Sequence, residues 1–166
     1  EAGRKRAVCS ISAGTALTLD VVDARGRHRG GVIAPGPDLM VQTLLGQTHG
    51  IAVRAARASR TSARAKARRP TPSLPPLAAN TRDAVWQGSL IAGAALVDRC
   101  VGDAARRLHA RPRVFLTGGG AELIASQLQC RFERLPDLVL RGLLVLAEHS
   151  GDAVLQKAVA PYAGPK

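Results

Sequence analysis

Four short stretches carry the residue types that could hold a phosphorylated ligand. "SAGT" (Ser12 to Thr15) puts small residues and a hydroxyl at a corner, where backbone N–H groups lie open to an anion. "TGGG" (Thr117 to Gly120) follows the strand-like "RVFL" and precedes a helical run, a junction where a ligand can approach the main chain and a helix N-terminus favours anions. "GGVIAPG" (Gly30 to Gly36) pairs glycines inside a strand, which implies either a bulge or a close neighbour. In "NTRD" (Asn80 to Asp83), Thr81 is a helix-capping hydroxyl or a ligand-facing one. Each has a plain alternative: a hairpin corner, close packing of helix on strand, a bulge, a cap. No Lys-Ser or Lys-Thr follows the glycines, so "TGGG" is not a Walker loop, and no G-x-G-x-x-G stands in a Rossmann setting.

The elements that must position these residues follow from periodicity and breakers. Val8 to Ser12 predicts a short buried strand. Thr15 to Val22 alternates, with Leu17, Leu19 and Val21 on one face. "DARG" is a turn, and Arg27 to Ala34 returns as a third strand. Pro35-Gly36 break that strand, and Pro37 and Asp38 suit the first turn of a helix. Residues 49–79 read as a mobile basic loop with a proline spacer, on the strength of "RAARASRTSARAKARRP" and "TPSLPPL". A helix then runs from Asn80 or Thr81 to about His109, and its Ala84, Gly88 and Ala92 form a nearly bare stripe suited to close packing within the molecule or between two copies. The strand "RVFLT", a helix over Ala121 to Leu128, a strand over "CRFERL" and a helix in "PDLVLRGLLVLAEH" complete the series, the last with Leu138, Val139, Gly142, Leu143 and Leu146 inward.

The order β-β-β-α-(loop)-α-β-α-β-α is the layout of an α/β, ribonuclease H-like domain, a mixed sheet flanked by helices. Its extent is 1–150, with 151–166 as a tail. The chain has 166 residues, enough for one domain with a substantial core. It begins at Glu1 and enters a strand almost at once, which suggests the second part of a longer protein whose N-terminal domain is absent. Aromatics are 2% of the chain, so Leu, Val, Ile and Ala must build the core. Cys9, Cys100 and Cys130 are too scattered for a disulfide framework or a zinc site, and a reducing cytoplasm fits them. No apolar run approaches the roughly 20 residues a membrane span needs, so no membrane partner is expected. The formal charge is +12. Arg54, Arg57, Arg60 and Arg64 recur at about helical spacing, but no aromatic residues interleave with them for base stacking. Weak, salt-sensitive nucleic-acid binding is expected, and specific recognition is not.

Taken in order, GTAxTxD, G-x-x-x-GG-x-I-x-PG, NT-x-x-A-x-x-x-G, TGG and DLVL-x-GL resemble the type III pantothenate kinases, the family that includes the Bvg accessory factor. The resemblance runs from about Cys9 to Glu148 and lapses in the basic stretch. It implies the acetate kinase, sugar kinase, Hsp70 and actin superfamily, with two ribonuclease H-like domains and ATP between them. Carried over by position, it implies that Gly14, Thr15, Gly118 and Gly119 face ATP and its Mg²⁺, and that Thr81 touches pantothenate. An aspartate usually stands three residues before the GTA threonine and helps hold potassium or ammonium. Ser12 stands there instead, which weakens the expectation of a monovalent cation. The D-x-G-N-T loop and the G-x-D-R segment with the general base do not occur among these residues, so no catalytic residue is assigned and the chain alone is expected to be inactive. The resemblance also implies a homodimer. The rival reading is a non-catalytic relative, regulatory or nucleic-acid-binding through its basic 54–69 segment.

Overall fold

The computed structural model describes residues 6–61 and 77–150. Three strands come first: β1 (Val8–Ala13), β2 (Ala16–Val22) and β3 (His28–Pro35). Helices α1 (Pro37–Gln47), α2 (His49–Thr61) and α3 (Thr81–Leu108) follow. Then come β4 (Arg113–Thr117), α4 (Ala121–Ala125), β5 (Glu133–Arg134) and α5 (Leu138–Ser150). The strands form one sheet in the order β3-β2-β1-β4-β5. β2 is antiparallel to both its neighbours, while β4 is parallel to β1 and to β5. That mixed sheet, with a meander on one side and crossover strands on the other, is the ribonuclease H-like layout read from the sequence.

Alternation along β1 and β2 decides which face is covered. Cys9, Ile11 and Ala13 are buried and lie opposite Val21, Leu19 and Leu17 on β2. Val114 and Leu116 of β4 extend the same face. Onto it pack Ala94 and Val97 of α3 and Ile124 of α4, all within one core cluster. The position of Gly93 lies 3.5–3.8 Å from Leu17, Ile124 and Pro37, so α3 crosses the sheet with little between backbone and strand. Small side chains (Ala13, Ala94, Ala104, Ala121) occupy places where an aromatic-rich protein would put rings. Asn80 caps α3: its Oδ1 accepts from the Asp83 amide at 3.0 Å, and its Nδ2 donates to the Asp83 carboxylate at 2.7 Å. The helix ends at His109, in the left-handed conformation.

Several expectations are corrected. Residues 49–61 form helix α2 rather than a loop. Ala52, Ala55, Ala56 and Ala58 give that stretch high helix propensity, and Ala55 is buried, so packing supplies what the charge run conceals. The rest of the expected loop, residues 62–76, lies outside the described residues, as does the tail from 151. The α4 helix stops at Ala125, three residues short of the expected end. The last strand shrinks to Glu133–Arg134 because the Asp98 carboxylate takes the amides of Gln129 and Cys130, at 2.9–3.2 Å, before pairing can begin. Of the residues expected inward on α5, Val139, Gly142, Leu143 and Leu146 are exposed and Leu138 is half-buried; Ala147 is the buried one. That helix is apolar on nearly every side, so periodicity could not single out its inner face. The Ala84–Gly88–Ala92 stripe lies on the exposed side of α3, and among the described residues nothing stands within 4 Å of a Cβ at Gly88.

Candidate functional site

The two glycine corners are neighbours in space. Chain direction brings them there: β1 and β4 are parallel, so the turn after Ala13 and the turn after Thr117 leave the same end of the sheet. Gly118 has φ +96°, and a Cβ on it would stand 2.3 Å from the Ala13 carbonyl oxygen. Only glycine fits there, because the TGGG turn lies flat on the last residue of β1. The Gly120 amide donates to that same Ala13 carbonyl at 2.8 Å. A third segment joins them. The Gly36 amide donates to the Thr15 carbonyl at 2.8 Å, and a Cβ at Gly36 would stand 2.1 Å from the Gly14 carbonyl oxygen. Two glycines of "GGVIAPG" serve packing, Gly36 against the corner and Gly31 against Leu19 and Asp20, beside an irregularity in the β2–β3 register; Gly30 instead has φ +107° with open space around it.

Between these segments opens a cavity of about 250 Å³, lined by Gly14, Thr15, Pro37, Asp38, Gly119, Gly120 and Leu123. Of the expected residues, Gly14, Thr15 and Gly119 line it. Gly118 does not; it holds the turn onto β1 behind the lining. Gly120 and Asp38 were missed by the sequence reading. A third consecutive glycine signals the former, and a carboxylate two residues after the Pro-Gly break signals the latter. Around Gly119 a Cβ would meet nothing within 4 Å, and the residue makes no hydrogen bond among the described residues. The α4 helix spans only Ala121–Ala125, so its dipole adds little here. The Gly14 and Gly120 amides are given to the Ala16 and Ala13 carbonyls at 2.9 and 2.8 Å, so what the lining offers an anion is the main chain at Gly119 and the Thr15 hydroxyl.

Two expected residues stand apart from this cavity. Thr81 opens α3, twelve residues before Gly93, where an added Cβ would stand 3.8 Å from the cavity-lining Pro37. At 1.5 Å per residue that separates them by about 18 Å along the helix. Asn80 does the capping, so the Thr81 hydroxyl is not used as the cap. Ser12 sits half-buried on β1, aligned with Thr18 of β2 and Thr117 of β4. The three share one sheet face. Their hydroxyls are neutral, and Thr117 already donates to the Pro136 carbonyl at 3.2 Å. Among the described residues no group of three His, Cys, Asp or Glu gathers that could hold a metal ion. Ser12 and its neighbours thus do not fit the charged cation site that an aspartate there would make.

A larger cleft, about 330 Å³, lies at the opposite end of the sheet between β2, β3 and the last turns of α3, with Arg29, Asp103 and Arg107 on its walls. Size alone does not make it the site. It contains neither glycine corner, and Asp103 is engaged by Arg99 and Arg106. The Arg99 hydrogen bond, followed by the charges around it, holds the Asp103 carboxyl below the usual range. On α2, Arg54 and Arg57 are exposed, and the remainder of the basic segment lies outside the described residues.

A wall of exposed backbone and one hydroxyl, set at the end of a mixed sheet, defines the class: a domain that can seat an anionic ligand against main-chain groups. A family model described as type III pantothenate kinase matches residues 1–103. Curated type III pantothenate kinases align over most of the chain. That of Nitrosococcus oceani is 38% identical over 145 residues, covering 87% of this chain and 49% of its own. That of Azoarcus sp. BH72 is 36% identical over 137 residues, covering 82% and 45%. The chain belongs to the type III pantothenate kinase family, and it spans about half the length of the curated relatives it matches. A crystal structure from Campylobacter jejuni, described as a Baf family transcriptional activator, overlays with a TM-score of 0.48 at 21% identity, covering 89% of this chain and 59% of that one. Among the described residues no helix is long and apolar enough to cross a membrane.

Proposed function

We propose that this chain is the C-terminal half of an ATP-dependent pantothenate kinase, supplying one wall of a cleft that transfers the γ-phosphoryl group of ATP to the hydroxyl of pantothenate. The observation that carries the reading is the single cavity lined by both glycine corners, Gly14-Thr15 and Gly119-Gly120. In the reaction, the pantothenate hydroxyl oxygen bonds to the γ-phosphorus, the bond to the β–γ bridging oxygen breaks, and ADP leaves. The hydroxyl proton passes to a base that these residues do not provide. Such transfer rests on positioning and charge stabilisation from both sides of the substrate. Here Gly14, Thr15 and Gly119 seat the phosphates of ATP with its Mg²⁺, and Gly118 holds the turn that presents Gly119.

The Thr81 hydroxyl remains the proposed pantothenate contact, from a direction separate from the phosphate corner. A potassium or ammonium ion has only neutral oxygens to bind at Ser12, so dependence on it is expected to be weak. The apolar residues bared on α5 (Val139, Leu140, Val145 and Leu146) are surface of the kind that further protein covers, in keeping with a second domain. A cytoplasmic homodimer belongs to the same reading.

The test is product formation. The chain mixed with Mg²⁺, ATP and pantothenate is expected to yield no 4'-phosphopantothenate above background. Fusing the N-terminal half of the Nitrosococcus oceani relative ahead of it is expected to restore turnover. Turnover by the chain alone would overturn the one-wall account. A well-folded fusion that binds pantothenate yet never phosphorylates it would overturn the kinase account.

A further inference from the structure

Asp38 is the one charged residue among those lining the cavity between the glycine corners. It follows Gly36, whose amide is bonded to the Thr15 carbonyl, by two residues. Its Cα is therefore within about 8 Å of Gly36 along the chain. A carboxylate placed there does not touch the phosphates directly, because two anions repel, and serves them only through a cation such as the Mg²⁺ of ATP. It takes only hydrogen-bond donors or cations. Around it the walls divide by chemistry: main chain and hydroxyl at Gly14, Thr15, Gly119 and Gly120, apolar surface at Pro37 and Leu123. A nucleotide has three matching parts: a phosphate tail for the first, a flat base for the second, and between them a vicinal diol that donates two O–H groups.

We propose that Asp38 reads the sugar of the nucleotide, its carboxylate accepting hydrogen bonds from the ribose 2'- and 3'-hydroxyls, so that this wall selects ribonucleotides over deoxyribonucleotides. The inference rests on the nucleotide reading given above and adds a specificity residue to it. Asp38 also engages another group of the protein. A carboxylate carries about four acceptor sites on its two oxygens. Its place in the first turn of α1, with Pro37 before it, fixes the backbone that carries the side chain. Charge-assisted hydrogen bonds to hydroxyls are strong enough to discriminate at about the tenfold level at a half-buried site.

The test is a titration of the 166-residue chain, read by amide chemical shifts so that millimolar binding is measurable. The probes are ATP, 2'-deoxy-ATP, 3'-deoxy-ATP and inosine triphosphate, each with and without Mg²⁺. The parent is expected to bind ATP about tenfold more tightly than either deoxy analogue. Asp38→Ala is expected to bind all three alike, and Asp38→Asn, which keeps one acceptor oxygen, to fall between. Thermal melts of both variants control for folding. Equal discrimination in parent and Asp38→Ala overturns the proposal, as does a parent that binds the deoxy analogues as well as ATP. Should Asp38→Ala lose its response to Mg²⁺, or its preference for ATP over inosine triphosphate, while keeping sugar discrimination, the carboxylate serves a cation or the base instead. A parent that binds no nucleotide at all removes the nucleotide reading itself, a result distinct from each of these.

Discussion

Gly118→Ala is expected to destabilise the protein by about 3 kcal/mol or more and to abolish nucleotide binding. Two costs combine. The backbone there has φ +96°, a conformation that costs an L-residue with a Cβ about 1–2 kcal/mol. The added carbon would also stand 2.3 Å from the Ala13 carbonyl oxygen and 2.9 Å from its nitrogen. Neither atom can move without breaking the end of β1, which is the central strand of the sheet. Relief would require lifting the TGGG turn off Ala13, with loss of the Gly120-to-Ala13 hydrogen bond. Gly119→Ala provides the contrast. Its φ is not positive and a Cβ there meets nothing within 4 Å, so its stability should stay within about 1 kcal/mol of the parent. That methyl group would nevertheless enter the cavity and weaken ATP. Urea unfolding with ATP titration separates the two variants. A Gly118→Ala protein with the parent's unfolding midpoint would contradict the packing described for this corner.

Stability is expected to fall steeply at alkaline pH, through the three cysteines. Cys9 is fully buried beneath the helices, and burial, with a smaller contribution from Cys100, pushes its thiol up to about 11. Burial also raises Cys130, to about 12, helped by the hydrogen bond and charge of Asp98, and burial raises Cys100. The sign follows from proton uptake. Above pH 9 the unfolded chain loses thiol protons while the folded one keeps them, so the folded state binds more protons and unfolding becomes easier as pH rises. The stabilisation is whole below about pH 9 and is lost as pH climbs through 11. For Cys9 a displacement of this size corresponds to roughly 2–3 kcal/mol. Chemical unfolding at pH 8 and at pH 10.5 reads it, and Cys9→Ala should flatten the slope even though it lowers stability at both pH values. Parallel slopes for parent and variant would mean that Cys9 is not held protonated by the fold. The same burial makes the Cys9 thiol slow to alkylate in the native state.

Local signals carried much of the fold. The alternation of β2, the Pro-Gly break before α1 and the Asn80 cap are each decided by nearby residues, and each stands where the sequence put it. The glycine corners were legible too, because a strand that ends in three glycines has few structural uses. What was hidden depends on contacts made across the chain. Helix α2 looked like a basic loop because charge masks an Ala-rich face until α3 is there to receive it. The inner side of α5 was unreadable in a helix whose first three turns are apolar apart from Arg141. The separate parts played by Gly118, behind the cavity, and Gly119, in it, follow from where Ala13 lies. Cys9, Cys100 and Cys130, scattered in sequence, come close enough to influence one another's protonation only once β1, α3 and the segment before β5 are packed.

The most direct measurement is the amide map of the chain as Mg²⁺ and ATP are added. The account predicts that Gly14, Thr15, Gly119 and Gly120 shift together with one dissociation constant, because a single triphosphate bridges both corners. Shifts gathered instead around Arg29 and Arg107 at the far end of the sheet, with either corner silent, would contradict it.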